Sequence, residues 1–354
     1  MTKLGLVAVL LAADACTIGT MKVENPVDQV ANTFKSATGN KQCTPQELWP
    51  YSFSAEDEYW FGRNVADRLL APYLPNKVYE PDSPQVIYLN EVGNVVAAAA
   101  TAQRDDGGGY RNDAPRKFPN RARLEDNADR PLPVRGYHFI LVKDPAPVAL
   151  GLPGGFVIVS DGMIARATDE DQLAGVLAHE LGHVTRGHGI HAIEKMMCAR
   201  KDSWGTKLSQ NVHATKIGDG LNVNLPLDKA LELFDEGVDY FQDKISANGY
   251  PKEYENEADV FGVRYLAGAG YSGLALADLL NHVDKDPAFA PAANQSQVHD
   301  APHVRAANVT TVVTSEKLTP DHSPFEAERS KRFVTQFPPS TTAPTPAAQV
   351  KTKS

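Results

Sequence analysis

The sequence predicts an α+β fold, mostly helical around a small sheet. Three observations carry that expectation. Long stretches place apolar residues at helical spacing, as in "PLDKALELFDEGVDYFQDKIS" from Pro226 to Ser246. Two shorter runs, "YHFILVKD" and "GGFVIVSDG", read as strands bounded by turn residues. The chain has 354 residues and is 42% hydrophobic, which is enough for one large domain or two ordinary ones with a real core.

The first element is a targeting segment over residues 1–15. Lys3 supplies a positive start, "LGLVAVLLAA" is a short apolar run, and Ala13-Asp14-Ala15 has the small-x-small form of a cleavage site. The run is too short to span a bilayer. The expected address is therefore export, to the periplasm. Cys16 follows the candidate cut, where a bacterial lipoprotein carries its lipid. Ala13 and Asp14 depart from the usual residues before such a cysteine, so an ordinary signal-peptidase cut beside an unmodified Cys16 stays open. The other two cysteines, Cys43 and Cys198, are free to pair in an oxidising compartment, and no C-x-x-C pair is present. Residues 16–50 lack periodicity and read as a tether.

The globular domain is expected over residues 51–336. Ser54 with Asp57 forms a capping box, followed by a helix with Phe61, Val65 and Leu69 on one stripe. Ser83-Pro84 opens a second helix, because proline suits a first turn. Residues 103–135, rich in Gly, Pro, Asp and Arg, form an exposed insertion, either a disordered loop or a flap facing substrate or partner. Strands follow at Tyr137–Asp144 and Gly154–Gly162. Thr168 and Asp171 cap the next helix, which carries "LAGVLAHELGHVTRGHG" from Leu173 to Gly189. "PKEYENEADVFGVRYLA" from Pro251 to Ala267 is a further helix, stopped by Gly268 and Gly270. Residues 337–354 are rich in Pro, Thr and Ala and form a disordered tail. A net charge of −9 argues against nucleic acid as the main partner and against a basic membrane-binding face. Membrane contact is expected only through a lipid on Cys16.

His179, Glu180 and His183 form an H-E-x-x-H. On a helix, residues four apart lie about 40° from each other, so the two imidazoles project from one face. Glu180 borders that face. Such a pair suits a zinc site, with Glu180 as general base toward a water molecule. The alternative is a helix whose two histidines stack or bond to backbone. A third ligand would decide. His188 points to the opposite side of an extended helix, and His191 lies near its end. Gly189 stands where a metzincin would place its third histidine. The gluzincin arrangement takes a glutamate from a later helix with an aspartate one turn on. Glu255 and Asp259 have that spacing: Glu255 as ligand, Asp259 fixing the tautomer of a ligand histidine. A solvated acidic face, with Glu253 and Glu257, explains the same residues equally well.

Several stretches together resemble metallopeptidase family 48, the HtpX and CAAX prenyl protease type, and within it the exported bacterial branch. They are "LPGGFVIVSDGMI", "DEDQLAGVLAHELGHVTRGH", "EYENEADVFGVRYLAGAGY" and "HDAPHVRAANV". The resemblance implies a zincin-like, gluzincin metallopeptidase fold with one Zn(2+) per chain. It assigns His179, His183 and Glu255 to zinc, Glu180 as general base, and Asp259 to the shell behind the ligands. His299 falls where the family has a histidine that approaches the metal, and Arg305 on the family's arginine, so both are candidate catalytic residues near the oxyanion. Asp300 stands where a proline is usual, and Val148 where the family has an asparagine near the substrate groove. Gly154 and Gly155 are candidate substrate-binding residues, since glycines let backbones approach and an exposed strand edge can pair with an extended peptide; an ordinary turn is the plainer reading. The implied activity is zinc-dependent endopeptidase action on unfolded or misfolded envelope polypeptides. A zinc-containing chaperone or scaffold that binds extended chains without cutting them is the alternative.

Overall fold

The computed structural model describes residues 55–105, 133–193, 214–217, 220–223, 235–246, 249–289, 300–318 and 325–338. The segment at 1–15, the tether, Cys16, Cys43, Cys198 and most of the 103–135 insertion lie outside them.

Helix α1, Ala55–Leu70, buries Phe61 and Val65 one turn apart, on the expected stripe. Helix α2, Pro84–Asp105, begins on the expected proline and buries Val86, Leu89, Val92, Val96 and Ala100 along one face. It runs two residues past the point where the insertion was expected to start.

The sheet has three strands in the order β1-β3-β2. Strands β1 (His138–Val142) and β3 (Phe156–Ser160) are parallel, while β2 (Ala149–Leu152) runs antiparallel to β3. All of β3 is buried, as its unbroken apolar run requires of a central strand. The expected strands were longer. Gly154 and Gly155 belong instead to the turn from β2 to β3, with φ of 73° and 96°. A separate hairpin pairs β4 (Ala214–Ile217) with β5 (Gly220–Val223).

A short helix α3, Asp161–Ile164, leads to α4, Glu170–Thr185. Its cap is Asp169, not the expected Thr168 with Asp171: the Asp169 carboxylate accepts the Gln172 N–H at 2.8 Å. That leaves Asp171 for other work. Every residue of α4 except Val184 is buried, so this is the central helix. Helix α5, Lys252–Gly268, packs along it. The approach is close because Gly182 faces Ala258: a Cβ on Gly182 would lie 2.9 Å from the Ala258 Cα and backbone O.

Three C-terminal helices were not anticipated from the sequence: α6 (Ala275–Val283), α7 (Pro302–Glu316) and α8 (Glu326–Gln336). Helix α8 holds the start of α4. Arg329 donates to Asp171 from Nε at 2.6 Å and Nη2 at 2.9 Å. Arg332 donates to Glu170, which is wholly buried and also accepts from Tyr88 and Tyr271 at 2.8 and 3.1 Å. Both acids sit in the first turn of α4, where the helix dipole favours negative charge.

The expected helix over 226–246 is described only from 235, and its last six residues, Phe241–Ser246, form a π-helix. Val238, Phe241 and Ile245 are buried there, as the stripe implied. They join α1, β2 and the Phe156 and Ile158 side of β3 in one apolar cluster, while α2–α8 with Phe139 and Leu141 of β1 and Val157 and Val159 of β3 form the other. Among the described residues no helix is long and apolar enough to cross a membrane.

Candidate metal centre

His179 and His183 project from one face of α4, and Glu255 meets them from the first turn of α5. All three are buried. The His179 and His183 Nε2 atoms are 3.2 Å apart. Glu255 brings Oε2 to 3.3 Å from His179 Nε2 and Oε1 to 3.6 Å from His183 Nε2. These distances test the fit of a metal. A tetrahedral zinc with bonds of about 2.0–2.1 Å has ligands about 3.3–3.4 Å apart. The His179–His183 and His179–Glu255 separations lie close to that spacing, the second Glu255 oxygen stands 3.6 Å from His183, and two imidazoles and a carboxylate make a suitable donor set.

The shell behind them is ordered. Asp259 lies one turn along α5 from Glu255 and places Oδ1 2.9 Å from His179 Nδ1. Arg305, on α7, grips the same carboxylate through Nε at 2.9 Å and Nη2 at 2.7 Å. Burial would raise Asp259, but the Arg305 charge outweighs it and holds the carboxyl below its usual range. Burial pulls His179 down, yet the hydrogen bonds to Asp259 and Glu255 win and raise it to about 10. The carboxylates thus draw positive charge to this point, and a divalent cation meets the same demand. His183 lacks such a direct carboxylate on Nδ1, and burial pushes it well below 6.5.

Glu180 is buried beside the ligands. Its Oε2 accepts the backbone N–H of Gly151 at 2.6 Å. Burial pushes its pKa up, helped by the neighbouring Glu255 charge. Tyr250 packs flat on the His183 ring, 4.1 Å between centroids, donates its N–H to Glu255 and its O–H to the Gly151 carbonyl at 3.0 Å.

Two sets of residues sit differently from what the sequence suggested. Gly154 and Gly155 are buried in their turn: a Cβ on Gly154 would strike the α1 backbone at Tyr59 Cα (2.5 Å), and one on Gly155 the Gly136 carbonyl (2.5 Å). They pack the sheet onto its neighbours and present no open edge. Arg305 is bound to Asp259 and lies 3.8 Å from Glu255, so its charge faces the carboxylates of the ligand shell. His299 lies outside the described residues; Asp300, the residue after it, pairs with Lys252 at 2.6 Å at the start of α5.

Four participants were not legible in the sequence: Gly151, Tyr250, His188 and Glu257. His188 is wholly buried, with Nδ1 2.9 Å from His183 Nδ1 and Nε2 3.3 Å from Glu257 Oε2. Extending the helix had aimed it away. In the structure α4 ends at Thr185, and Gly187 at φ 65° turns the chain back. That glycine was the available signal. Glu257, expected on a solvated face, instead accepts from Arg186 Nε at 2.7 Å.

The sequence profile of Peptidase family M48 matches residues 120–333. The chain belongs to this family. M48 metallopeptidases are zinc enzymes, in keeping with the donor set above. Among individual proteins, the chain is similar to the beta-barrel assembly-enhancing protease of Escherichia coli K12, 26% identical over 144 residues, covering 41% of this chain and 27% of that protein. The Yersinia pestis protein of the same name is 28% identical over 158 residues, 43% of this chain and 30% of its own length. The mitochondrial metalloendopeptidase OMA1 of Schizosaccharomyces pombe is 43% identical over 53 residues, 15% of this chain and 16% of that one. The matched stretch thus covers under a third of the length of each of these relatives.

Proposed function

We propose that the chain is a zinc-dependent endopeptidase acting on unfolded or misfolded envelope polypeptides. The observation that supports this most is the cluster of His179, His183 and Glu255, whose ring nitrogens and nearest carboxylate oxygens lie 3.2–3.6 Å apart, close to the edges of a zinc tetrahedron, with Glu180 beside it. When bound, zinc supplies Lewis acidity: it lowers the pKa of a water molecule and polarises the scissile carbonyl.

The chain's own residues do the rest. His179, His183 and Glu255 hold the ion, and Asp259 keeps the His179 proton on Nδ1. Glu180 is the general base. Its Oε2 is held by the Gly151 N–H, so Oε1 is the atom that takes the proton and returns it to the leaving amine.

Strand β2 offers a place for the substrate main chain. Ser160 donates its N–H to the Val148 carbonyl, so alternate residues Val148, Leu150 and Leu152 face β3. Ala149 and Gly151 face the other way, where no strand pairs with β2 among the described residues. Glu180 and Tyr250 take both backbone groups of Gly151. Pairing with an extended peptide therefore begins at Ala149. This reading moves the peptide edge from Gly154 and Gly155 to β2. It suits loose sequence preference, because main-chain pairing ignores side chains. The substrate class rests on the likeness to beta-barrel assembly-enhancing proteases and on the leader-like residues 1–15.

The test is cleavage of an unfolded outer-membrane protein and of a folded control by the purified chain, with and without a chelator. Chelator-sensitive cleavage of the unfolded substrate alone is expected. Binding without cleavage by the zinc-loaded chain overturns the enzyme in favour of a scaffold.

A further inference from the structure

We propose that His188 and Glu257 form a tautomer lock on His183, working through two imidazoles in series. The inference rests on the zinc-centre reading and deepens it. His183 turns Nε2 toward His179 and Glu255, so as a ligand it presents that lone pair and carries its proton on Nδ1. The atom facing that proton is His188 Nδ1, at 2.9 Å. His188 must therefore accept there and carry its own proton on Nε2. The atom facing that second proton is Glu257 Oε2, at 3.3 Å. A carboxylate only accepts, and the other oxygen of Glu257 takes the Arg186 Nε–H at 2.7 Å.

The order runs equally well from the carboxylate inward. Glu257 fixes the proton of His188 on Nε2. That leaves Nδ1 of His188 as an acceptor, which fixes the proton of His183 on Nδ1. The Nε2 lone pair of His183 then points into the site. In the reverse arrangement His188 would donate from Nδ1, His183 would be protonated on Nε2, and ligation would be blocked. The two ligand histidines thus differ in their support: Asp259 reaches His179 directly, at 2.9 Å, whereas the carboxylate for His183 stands one ring farther back.

The interposed ring is held still. His188 is wholly buried and lies flat on Tyr254, 4.4 Å between centroids and 5° between planes. Its edge meets the His183 ring at 73°. Tyr254 and Glu257 both come from α5, the helix that supplies Glu255. One helix therefore provides a ligand, the direct carboxylate for His179 and the relayed carboxylate for His183.

The test compares three substitutions in the full chain. His188→Phe keeps a ring to stack on Tyr254 and loses the acceptor. His188→Asn places an oxygen where Nδ1 was, and His188→Gln places its polar atoms where Nε2 was. The readouts are zinc affinity by chelator competition, the visible spectrum of the cobalt(II)-loaded chain, and melting of the metal-free chain. His188→Phe should weaken zinc roughly 10- to 100-fold, the usual loss when a ligand's hydrogen-bond partner is removed, and should shift the cobalt bands. His188→Asn should recover most of both; His188→Gln should not. Wild-type affinity and spectrum in His188→Phe overturn the lock. If that variant does not fold, equal affinities in the Asn and Gln variants overturn it. A drop in metal-free melting with unchanged affinity reduces His188 to packing and also overturns it. If instead the wild-type chain binds no zinc, or His183→Ala binds it as tightly as wild type, the zinc-centre reading itself fails.

Discussion

The backbone N–H of Gly151 donates to Oε2 of Glu180 at 2.6 Å, tying edge strand β2 to the central helix α4. The bond occupies the Gly151 N–H and Oε2 of Glu180, leaving Oε1 as the carboxylate's other oxygen. Glu180→Gln keeps an oxygen able to accept this N–H but cannot take a proton from water at neutral pH. The variant should bind zinc at full stoichiometry, melt with wild type, and cut unfolded protein at least about 100-fold more slowly. Wild-type cleavage by this variant would falsify the assigned base.

Asp259 serves both His179 and Arg305. Asp259→Ala should weaken zinc by roughly 10- to 100-fold. It also takes from the half-buried Arg305 its doubly hydrogen-bonded carboxylate, leaving only Glu255 at 3.8 Å, so folding stability should fall. Removing Arg305 as well should recover part of the stability and none of the zinc affinity. Chemical denaturation and chelator competition, run on both variants, separate the two roles. Recovery of zinc binding in the double variant contradicts the tautomer role of Asp259.

Gly182 sets the distance between the ligand-bearing helices. Gly182→Ala places a methyl 2.9 Å from two backbone atoms of Ala258, so α5 must move outward. Overpacking of this kind costs about 1–3 kcal/mol. Glu255 moves with α5 while the histidines stay on α4, so zinc affinity should fall with stability. The clash is with backbone, so trimming the partner with Ala258→Gly should give little relief. Full rescue by that second change would show that the side chain, not the helix spacing, is at fault.

Metal removal should destabilise the fold, because the buried Glu255 carboxylate would lose the cation that neutralises it. A ligand at about 100 times its dissociation constant stabilises by about 2.7 kcal/mol. Melting in a chelator should therefore fall by several degrees and recover on adding zinc. Identical melting curves would mean that the cluster does not bind zinc under those conditions.

Cys16 is testable apart from the centre. The mature chain should begin at Cys16 and fractionate with membranes, and Cys16→Ser should move it to the soluble fraction. A mature terminus elsewhere, or an unchanged fraction, removes the lipid anchor.

Sequence by itself determined the parts of the site set by local periodicity. The i, i+4 spacing of His179 with His183, and of Glu255 with Asp259, places each pair on one helix face wherever the helices go. Apolar spacing with capping, proline and glycine signals likewise located α1, α2, α4 and α5, and turn-bounded apolar runs found β1 and β3. Tertiary structure decided which helices meet and where each backbone stops. The Gly182–Ala258 contact brings Glu255 within 3.3 Å of His179, and no spacing along one helix encodes that distance. The left-handed turn at Gly187 reverses His188 toward His183, because a helix extrapolated past its last residue points its side chains the wrong way. Arg305 and Tyr250 found their partners across long separations in the chain, for the same reason. Helical periodicity fixes a direction around one axis, and only packing between axes converts directions into distances.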